Sequence, residues 1–320
     1  MGANDQPEET GGIGMILSHS SRELFIKCRK AFYLNRIKRI RTKGEMLALP
    51  VKLGIIWDQY VQSRFNQQKF QDTFWKLADE YQLDDVSVSK IYGIIQAHRM
   101  LEIDPDYENE DGERFIGCQK RFELQYDGYR VVGYIDREYT DHVVETKFTA
   151  RPDFYFQIHN ITSQIGSYFL SNENYKYAII EAVRVPDIKT GKRKYADEDL
   201  DSYRNRVKGE ILSKPSHYFV GFDRDKGTYG KKFWRNEFDL ESLEQVYQEV
   251  WNEIKQCLEA NSEAKWWQNR KACYCPAPCE YLPICDTGVV SEEIFNIGEE
   301  LNLNIEQELV EDNKTEGGEV

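Results

Sequence analysis

The stretch YRVVGYIDREYTDHVVETKF, residues 129–148, decides how this chain folds. Two runs rich in β-branched and aromatic residues, YRVVGYIDREY and VVETKF, flank Asp141 and read as consecutive strands. Asp136 stands toward the C-terminal end of the first. Glu145 and Lys147, two apart, share one face of the second, because side chains alternate along a strand. If the strands are neighbours, Asp136 and Glu145 converge. Two carboxylates and a main-chain carbonyl are the hard oxygen ligands that Mg²⁺ or Mn²⁺ prefers. Lys147 beside them is placed to orient or deprotonate a water and to offset charge on a phosphoryl transition state. An exposed Glu/Lys pair on an ordinary strand has the same letters, so the surroundings must decide.

Upstream, RFIGCQKRFELQY precedes Asp127-Gly128, a two-residue turn that makes a hairpin with the strand from Tyr129. Downstream, a helix is expected over about residues 154–171 and then the apolar strand YAIIEAVRV. The order β-β-β-α-β implies an α/β fold with a mixed sheet flanked by helices. On the expected helix Gln164 and Tyr168 are four apart and share a face, within reach of the strand edge. The N-terminal third is helical in pattern. Ser20 with Glu23 has the form of a capping box opening RELFIKCRKAFYLNRI, a helix that carries Cys28. A second helix covers VKLGIIWDQYVQSRF, where Asp58, four after Gly54, offers a third carboxylate; the six tryptophans read first as core, with a cleft-lining place for Trp57 as the alternative, and more helix is expected through 70–100. Later pieces are the basic, polar segment 189–208, a strand HYFVGF, and an amphipathic helix DLESLEQVYQEVWNEIKQCLEA capped by Asp239.

The net charge of -13 is unevenly placed. Residues 291–320 hold ten acids and one lysine and read as an acidic disordered tail, while residues 1–16 read as a flexible lead-in. Between Arg22 and Lys43 nine basic side chains face one acid, Glu23, interleaved with Phe25, Phe32 and Tyr33, the composition of a phosphate-binding stripe or of a solvated basic face. Seven cysteines occur without an export signal, which favours reduced thiols or metal ligands over disulfides. Cys118 and Cys257 are isolated. Cys273, Cys275, Cys279 and Cys285 fall within thirteen residues, and Cys28 lies far upstream.

Taken together, G-Y-I-D (133–136), E-T-K (145–147) and Q-I-G-S-Y (164–168) resemble motifs of the PD-(D/E)XK nucleases, and the RecB-like branch in particular. Within that branch, iron-sulfur exonucleases of CRISPR adaptation, AddAB-type recombination and bacteriophages place one cysteine before the nuclease core and three after it. The resemblance covers about residues 17–286. It implies a restriction-endonuclease-like core with a helical N-terminal section and a C-terminal cluster-binding segment. Asp136 and Glu145 would then be metal ligands, Lys147 the catalytic lysine, and Gln164 and Tyr168 substrate-positioning groups. Asp58 stands where the family commonly has histidine. Cys28, Cys279, Cys285 and either Cys273 or Cys275, with Cys273 preferred, would hold a [4Fe-4S] cluster. A structural Zn²⁺ is the alternative, since four thiolates satisfy either.

Other chemistries lose ground. No G-x4-G-K-[ST] motif is present for a nucleotide-driven motor. His19, His98, His142, His159 and His217 are scattered and read as surface or core residues. No apolar run approaches the roughly 20 residues of a membrane helix. The expectation is therefore one nuclease domain over 17–290, acting as a Mg²⁺- or Mn²⁺-dependent DNA exonuclease with single-stranded ends as preferred substrate. Its setting would be DNA recombination, repair or processing, beside a helicase or recombination partner in the cytoplasm of a bacterial or phage-infected cell. The rival is a catalytically weak, nuclease-like DNA-binding or complex-organising subunit.

Overall fold

The strand-rich middle of the chain is realised as three long antiparallel neighbours, and helices gather before and after it. The computed structural model describes residues 15–66, 69–103, 114–157, 162–190, 198–260, 262–274 and 279–299. In chain order the elements are β1 (Met15–Leu17), α1 (His19–Lys27), α2 (Arg29–Phe32), β2 (Ile40–Thr42), α3 (Leu49–Phe65), α4 (Gln71–Glu80), α5 (Asp85–Met100), β3 (Phe115–Tyr126), β4 (Tyr129–Tyr139), β5 (His142–Thr149), α6 (Pro152–Tyr155), α7 (Thr162–Ser171), β6 (Tyr177–Arg184), α8 (Leu200–Ser213), α9 (Pro215–Tyr218), β7 (Lys231–Trp234), α10 (Leu240–Glu259), α11 (Leu282–Thr287) and β8 (Phe295–Ile297). The fold is mixed α/β, with a mixed sheet flanked by helices. No described helix is long and apolar enough to cross a membrane.

The chain forms two compact units from interleaved segments. One comprises the chain through Arg41, Glu123–Gly133 and the part from Val246 onward; the other comprises Thr42–Phe122 and Tyr134–Gln245. In the second unit β5 pairs with β4 antiparallel (Arg137 opposite Val144) and with β6 parallel (Glu145 opposite Ile180), and β7 closes the edge antiparallel to β6. Period two then sorts the side chains. Val144 and Phe148 face a core built with Leu53, Ile56 and Trp57 of α3, Ile91 and Ile94 of α5 and Val207 of α8. Val143 joins Ile165 and Phe169 of α7, Ala178, Ile180 and Phe233 on the other face. Gly166 has a packing reason: a Cβ there would stand 2.5 Å from Leu243 Cδ2, so glycine admits α10 onto α7.

In the first unit β1 lies parallel to the start of β4 (Met15 opposite Tyr129) and β2 pairs with β8. Tyr126, Tyr129 and Trp251 stack in series at 4.9 and 5.4 Å. Trp266 stacks on Phe32 and Tyr33.

Several expectations are corrected. The first helix is capped by Ser18, which pairs with Ser21, instead of by Ser20 and Glu23. Cys28 does not ride on it: α1 ends at Lys27, and Cys28 is an extended residue (φ -162°) that separates α1 from α2. HYFVGF is not a strand, because Pro215 opens the short α9 through Tyr218, and only Phe219 makes a β-bridge, to Val183. The polar segment 189–208 runs into α8, whose buried face is Tyr203, Val207 and Ile211. Met15 and Leu17, at the edge of the expected lead-in, are buried strand residues, and so is Phe295 within the expected tail. Residues 1–14 and 300–320, His159 and Cys275 lie outside the described residues.

Candidate functional site

Asp136, Glu145, Lys147, Gln164, Tyr168 and Asp58 all belong to the second unit. The β4–β5 ladder pairs Glu138 with Val143 and Arg137 with Val144, next to the tight turn. Past Arg137 the Thr146 N–H is taken by Asp136 Oδ2 at 2.8 Å, so the carboxylate is held between the two strands. Glu145 is 2% exposed and faces α7. Its Oε1 accepts from Lys147 Nζ, in a close ion pair, and from Gln164 Nε2 at 2.8 Å. Lys147 Nζ also donates to Gln164 Oε1 at 2.9 Å. Tyr168 Oη lies 2.8 Å from Glu145 Oε2 and 3.1 Å from the Tyr134 carbonyl, with one proton to give to them. One helical turn of α7 thus clamps the Glu-x-Lys strand, as the four-residue spacing implied.

The structure adds a residue that the motifs missed. Gln119 of β3 has a left-handed backbone (φ +49°) and donates from Nε2 to Asp136 Oδ1 at 3.2 Å. A non-glycine residue in that region is uncommon, and such a mid-strand irregularity re-aims a side chain toward a site. Arg137 is also buried. It forms a close ion pair with Glu181 and donates from Nη2 to Thr146 Oγ1 at 3.2 Å, which locks β4, β5 and β6 together behind Asp136. Trp57 is core, 1% exposed, and does not line a cleft.

The electrostatics report crowded acids. Burial first, and then the Glu145 and Asp58 carboxylates, raise the Asp136 pKa well above the usual carboxylate range. Asp58 is pushed up to about 6 by burial and by Glu145, although Gln62 donates to its Oδ2 at 2.7 Å. Burial lowers the Lys147 pKa, but Glu145 and Asp136 outweigh it and hold the ammonium above its ordinary value. Among the described residues no group of three or more His, Cys, Asp or Glu side chains is placed to hold a metal ion. The donor chemistry is that of a hard divalent cation: the Asp58, Asp136 and Glu145 carboxylates lie within electrostatic reach of one another, and the Lys147–Glu145 ion pair supplies one positive charge among them.

A linkage prediction follows. An acid whose folded pKa is raised above its unfolded value contributes stability below the unfolded pKa and loses it as pH rises through the folded one. For Asp58 the window runs from about pH 4 to about pH 6, with Asp136 extending it upward. Asp58→Asn should therefore stabilise the metal-free protein at pH 8, by on the order of 1–2 kcal/mol after allowance for solvent, and flatten the fall in Tm between pH 4 and 6. Manganese should narrow the gap by stabilising the wild type more. Thermal melts with EDTA and with Mn²⁺ check both; a variant less stable than wild type at pH 8 with EDTA would remove the crowding argument.

Cys28, Cys273, Cys279 and Cys285 lie in the first unit. Burial raises the Cys279 and Cys285 pKa, Cys285 to about 11, and in both cases Cys28 and Cys273 add to the rise, so these cysteines lie within electrostatic reach of one another, although among the described residues no group of cysteines is placed to hold a metal ion. Two amide groups point at sulfur: Asn269 N–H donates to Cys28 Sγ at 3.4 Å and Gln268 Nε2 to Cys273 Sγ at 3.2 Å. Such donors support thiolate charge in metal-sulfur sites. Cys257 is occupied elsewhere, giving its S–H to the Lys265 carbonyl at 3.7 Å.

Three cations of the basic stripe of residues 22–43 are paired internally. Arg22 pairs with Glu23 and lies over Tyr247, Arg29 pairs with Glu253, and Lys30 pairs with Glu263. This weakens its reading as a free phosphate track. No protein-family model matches the chain. A search of curated proteins found none similar to it.

Proposed function

We propose that the second unit is a metal-dependent deoxyribonuclease of the PD-(D/E)XK, RecB-like kind, acting as an exonuclease. The observation that carries this reading is Glu145 clamped by Lys147, Gln164 and Tyr168, with Asp136 held at the adjoining strand. Motif letters scattered over 33 residues of sequence meet in one hydrogen-bonded constellation, and the acids around them exceed the charge that Lys147 supplies.

Asp136 and Glu145, with Asp58 beside them, would hold Mg²⁺ or Mn²⁺. When bound, the cation lowers the pKa of water and stabilises charge on the scissile phosphate. Lys147 meets a phosphate oxygen or holds the attacking water, and its raised pKa keeps it protonated for the first role. Gln164 fixes the Lys147 rotamer by accepting from Nζ and fixes Glu145 by donating to Oε1. Tyr168, its pKa raised by burial and by Glu145, stays protonated and donates throughout the working range. In the first unit, Cys28, Cys273, Cys279 and Cys285 would hold a [4Fe-4S] cluster, or a zinc ion, as a staple between distant parts of the chain.

The exonuclease reading is tested with linear and circular DNA, single- and double-stranded, labelled at either end. Linear single strands should yield labelled mono- or short oligonucleotides from one end in Mn²⁺, while circles persist. Circles cut as fast as linear strands would make the enzyme an endonuclease.

A further inference from the structure

The Glu145–Lys147 strand runs straight into an aromatic step. β5 ends at Thr149, and Phe154, Tyr155 and Phe156 follow within seven residues. Phe156 and Tyr155 pack against the α7 core, but the Phe154 ring is 50% exposed. Two contacts connect it to the chemistry: Phe154 meets Tyr155 edge-on at 5.4 Å, and Lys147 Nζ lies 5.7 Å from the Tyr155 ring.

A single exposed phenylalanine is ordinary on a protein surface. This one differs in how firmly its backbone is held and in what surrounds it. Pro152 is buried at the first turn of α6. Arg184 of β6 donates to the Ala150 carbonyl at 3.3 Å, to Asp153 Oδ2 at 3.4 Å and to the His217 carbonyl at 3.1 Å. Lys231 of β7 donates to the Phe156 carbonyl at 3.2 Å. The segment is therefore tied to two strands by two cations, and Arg151 is exposed beside it. With the charge of Lys147 met by Glu145, the cations Arg151, Arg184 and Lys231 still outnumber Asp153, so the segment pairs positive charge with a fixed aromatic ring.

We propose that Phe154, backed by Tyr155, is a stacking platform for an unpaired base next to the scissile phosphate, and that it makes the site select single-stranded ends. This rests on the nuclease reading above and names its substrate form. Cations take the phosphates while a ring takes a base face, the arrangement by which single-stranded nucleic acid is bound without sequence preference. Inside a duplex both faces of each base are already stacked on neighbours and a blunt end offers only the outer face of its last pair, so an unpaired strand has more base face to give. Rigid anchoring matters because a ring ordered in advance loses little entropy on binding.

The test is a binding measurement that does not need turnover. Fluorescence anisotropy in Ca²⁺ would compare wild type, Phe154→Ala and Phe154→Trp on three probes: a single-stranded oligonucleotide, the same strand with abasic terminal nucleotides, and a blunt duplex. Phe154→Ala should bind the intact single strand roughly 10-fold more weakly, and Phe154→Trp should restore binding. On the abasic strand wild type and Phe154→Ala should be equal, because the base that stacks is gone. Melting temperatures should stay within a few degrees, since the ring is half exposed. Equal binding of the intact strand by wild type and Phe154→Ala, or an equal loss on intact and abasic strands, would overturn the platform. Phe154-dependent binding without hydrolysis in Mn²⁺ would keep the platform and sink the catalytic reading instead.

Discussion

Glu145→Ala, Asp136→Ala and Lys147→Ala should each lower the single-turnover rate of DNA hydrolysis by roughly 10³-fold or more, about 4 kcal/mol of transition-state stabilisation. The reason is that each removes either a carboxylate from the cation's donor set or the charge that faces the phosphate. Gln164→Ala and Tyr168→Phe remove one hydrogen bond each to Glu145 and should cost about 10-fold, since the carboxylate and lysine remain in place. Arg137→Met belongs to a different class. It leaves the partly buried Glu181 without its ion-pair partner and should strongly destabilise the second unit. Rates under single turnover, read beside circular dichroism, separate the classes. If Tyr168→Phe equals Lys147→Ala, the tyrosine acts on the reacting atoms and not through Glu145.

The second large effect concerns the cysteines. Cys28→Ser, Cys273→Ser, Cys279→Ser and Cys285→Ser should each lose the bound metal and lower Tm by some 6–12 °C, corresponding to roughly 3 kcal/mol at the usual conversion for chains of this size. A bridge from Cys28 to Cys273 closes a loop of about 245 residues, and closing so long a loop restrains the unfolded chain strongly. Cys118→Ser and Cys257→Ser should retain the metal. Iron, sulfide and zinc analysis of protein prepared without oxygen is the check. Iron and sulfide in equal amounts mean a cluster, and zinc without sulfide means a structural zinc site. Full metal content in Cys28→Ser would detach the N-terminal cysteine from the centre.

The central sheet was legible because its signal is local. Alternation in YRVVGYIDREY and VVETKF specifies both strands and the face that Glu145 and Lys147 share, and Asp127-Gly128 specifies the turn that brings β3 to β4; Gly128 takes the positive φ of 77° that such turns require. The Gln164–Tyr168 face followed from helical spacing alone. What stayed hidden depends on tertiary context. The apolar period continues through Cys28, yet the chain breaks there and turns a residue read as helical into an extended one whose sulfur receives the Asn269 N–H. α8 was masked because its buried stripe is three residues among many charges. Gln119 carries no local signature at all: its role arises from a left-handed backbone in mid-strand, which no side-chain pattern announces. The partners of two cations of the basic stripe were hidden for a different reason, since Glu253 and Glu263, which pair with Arg29 and Lys30, lie more than 220 residues away.

The claim that matters most is that Asp136, Glu145 and Lys147 form a cation-dependent centre for DNA hydrolysis. Its most direct measurement is the rate of product release from an end-labelled single strand as Mn²⁺ is titrated into EDTA-stripped wild-type protein, with Glu145→Ala run in parallel. The account predicts no product in EDTA, a saturable rise with Mn²⁺ for wild type, and a flat line for Glu145→Ala. Product formed by wild type in EDTA, or equal rates for the two proteins at every Mn²⁺ concentration, would contradict it.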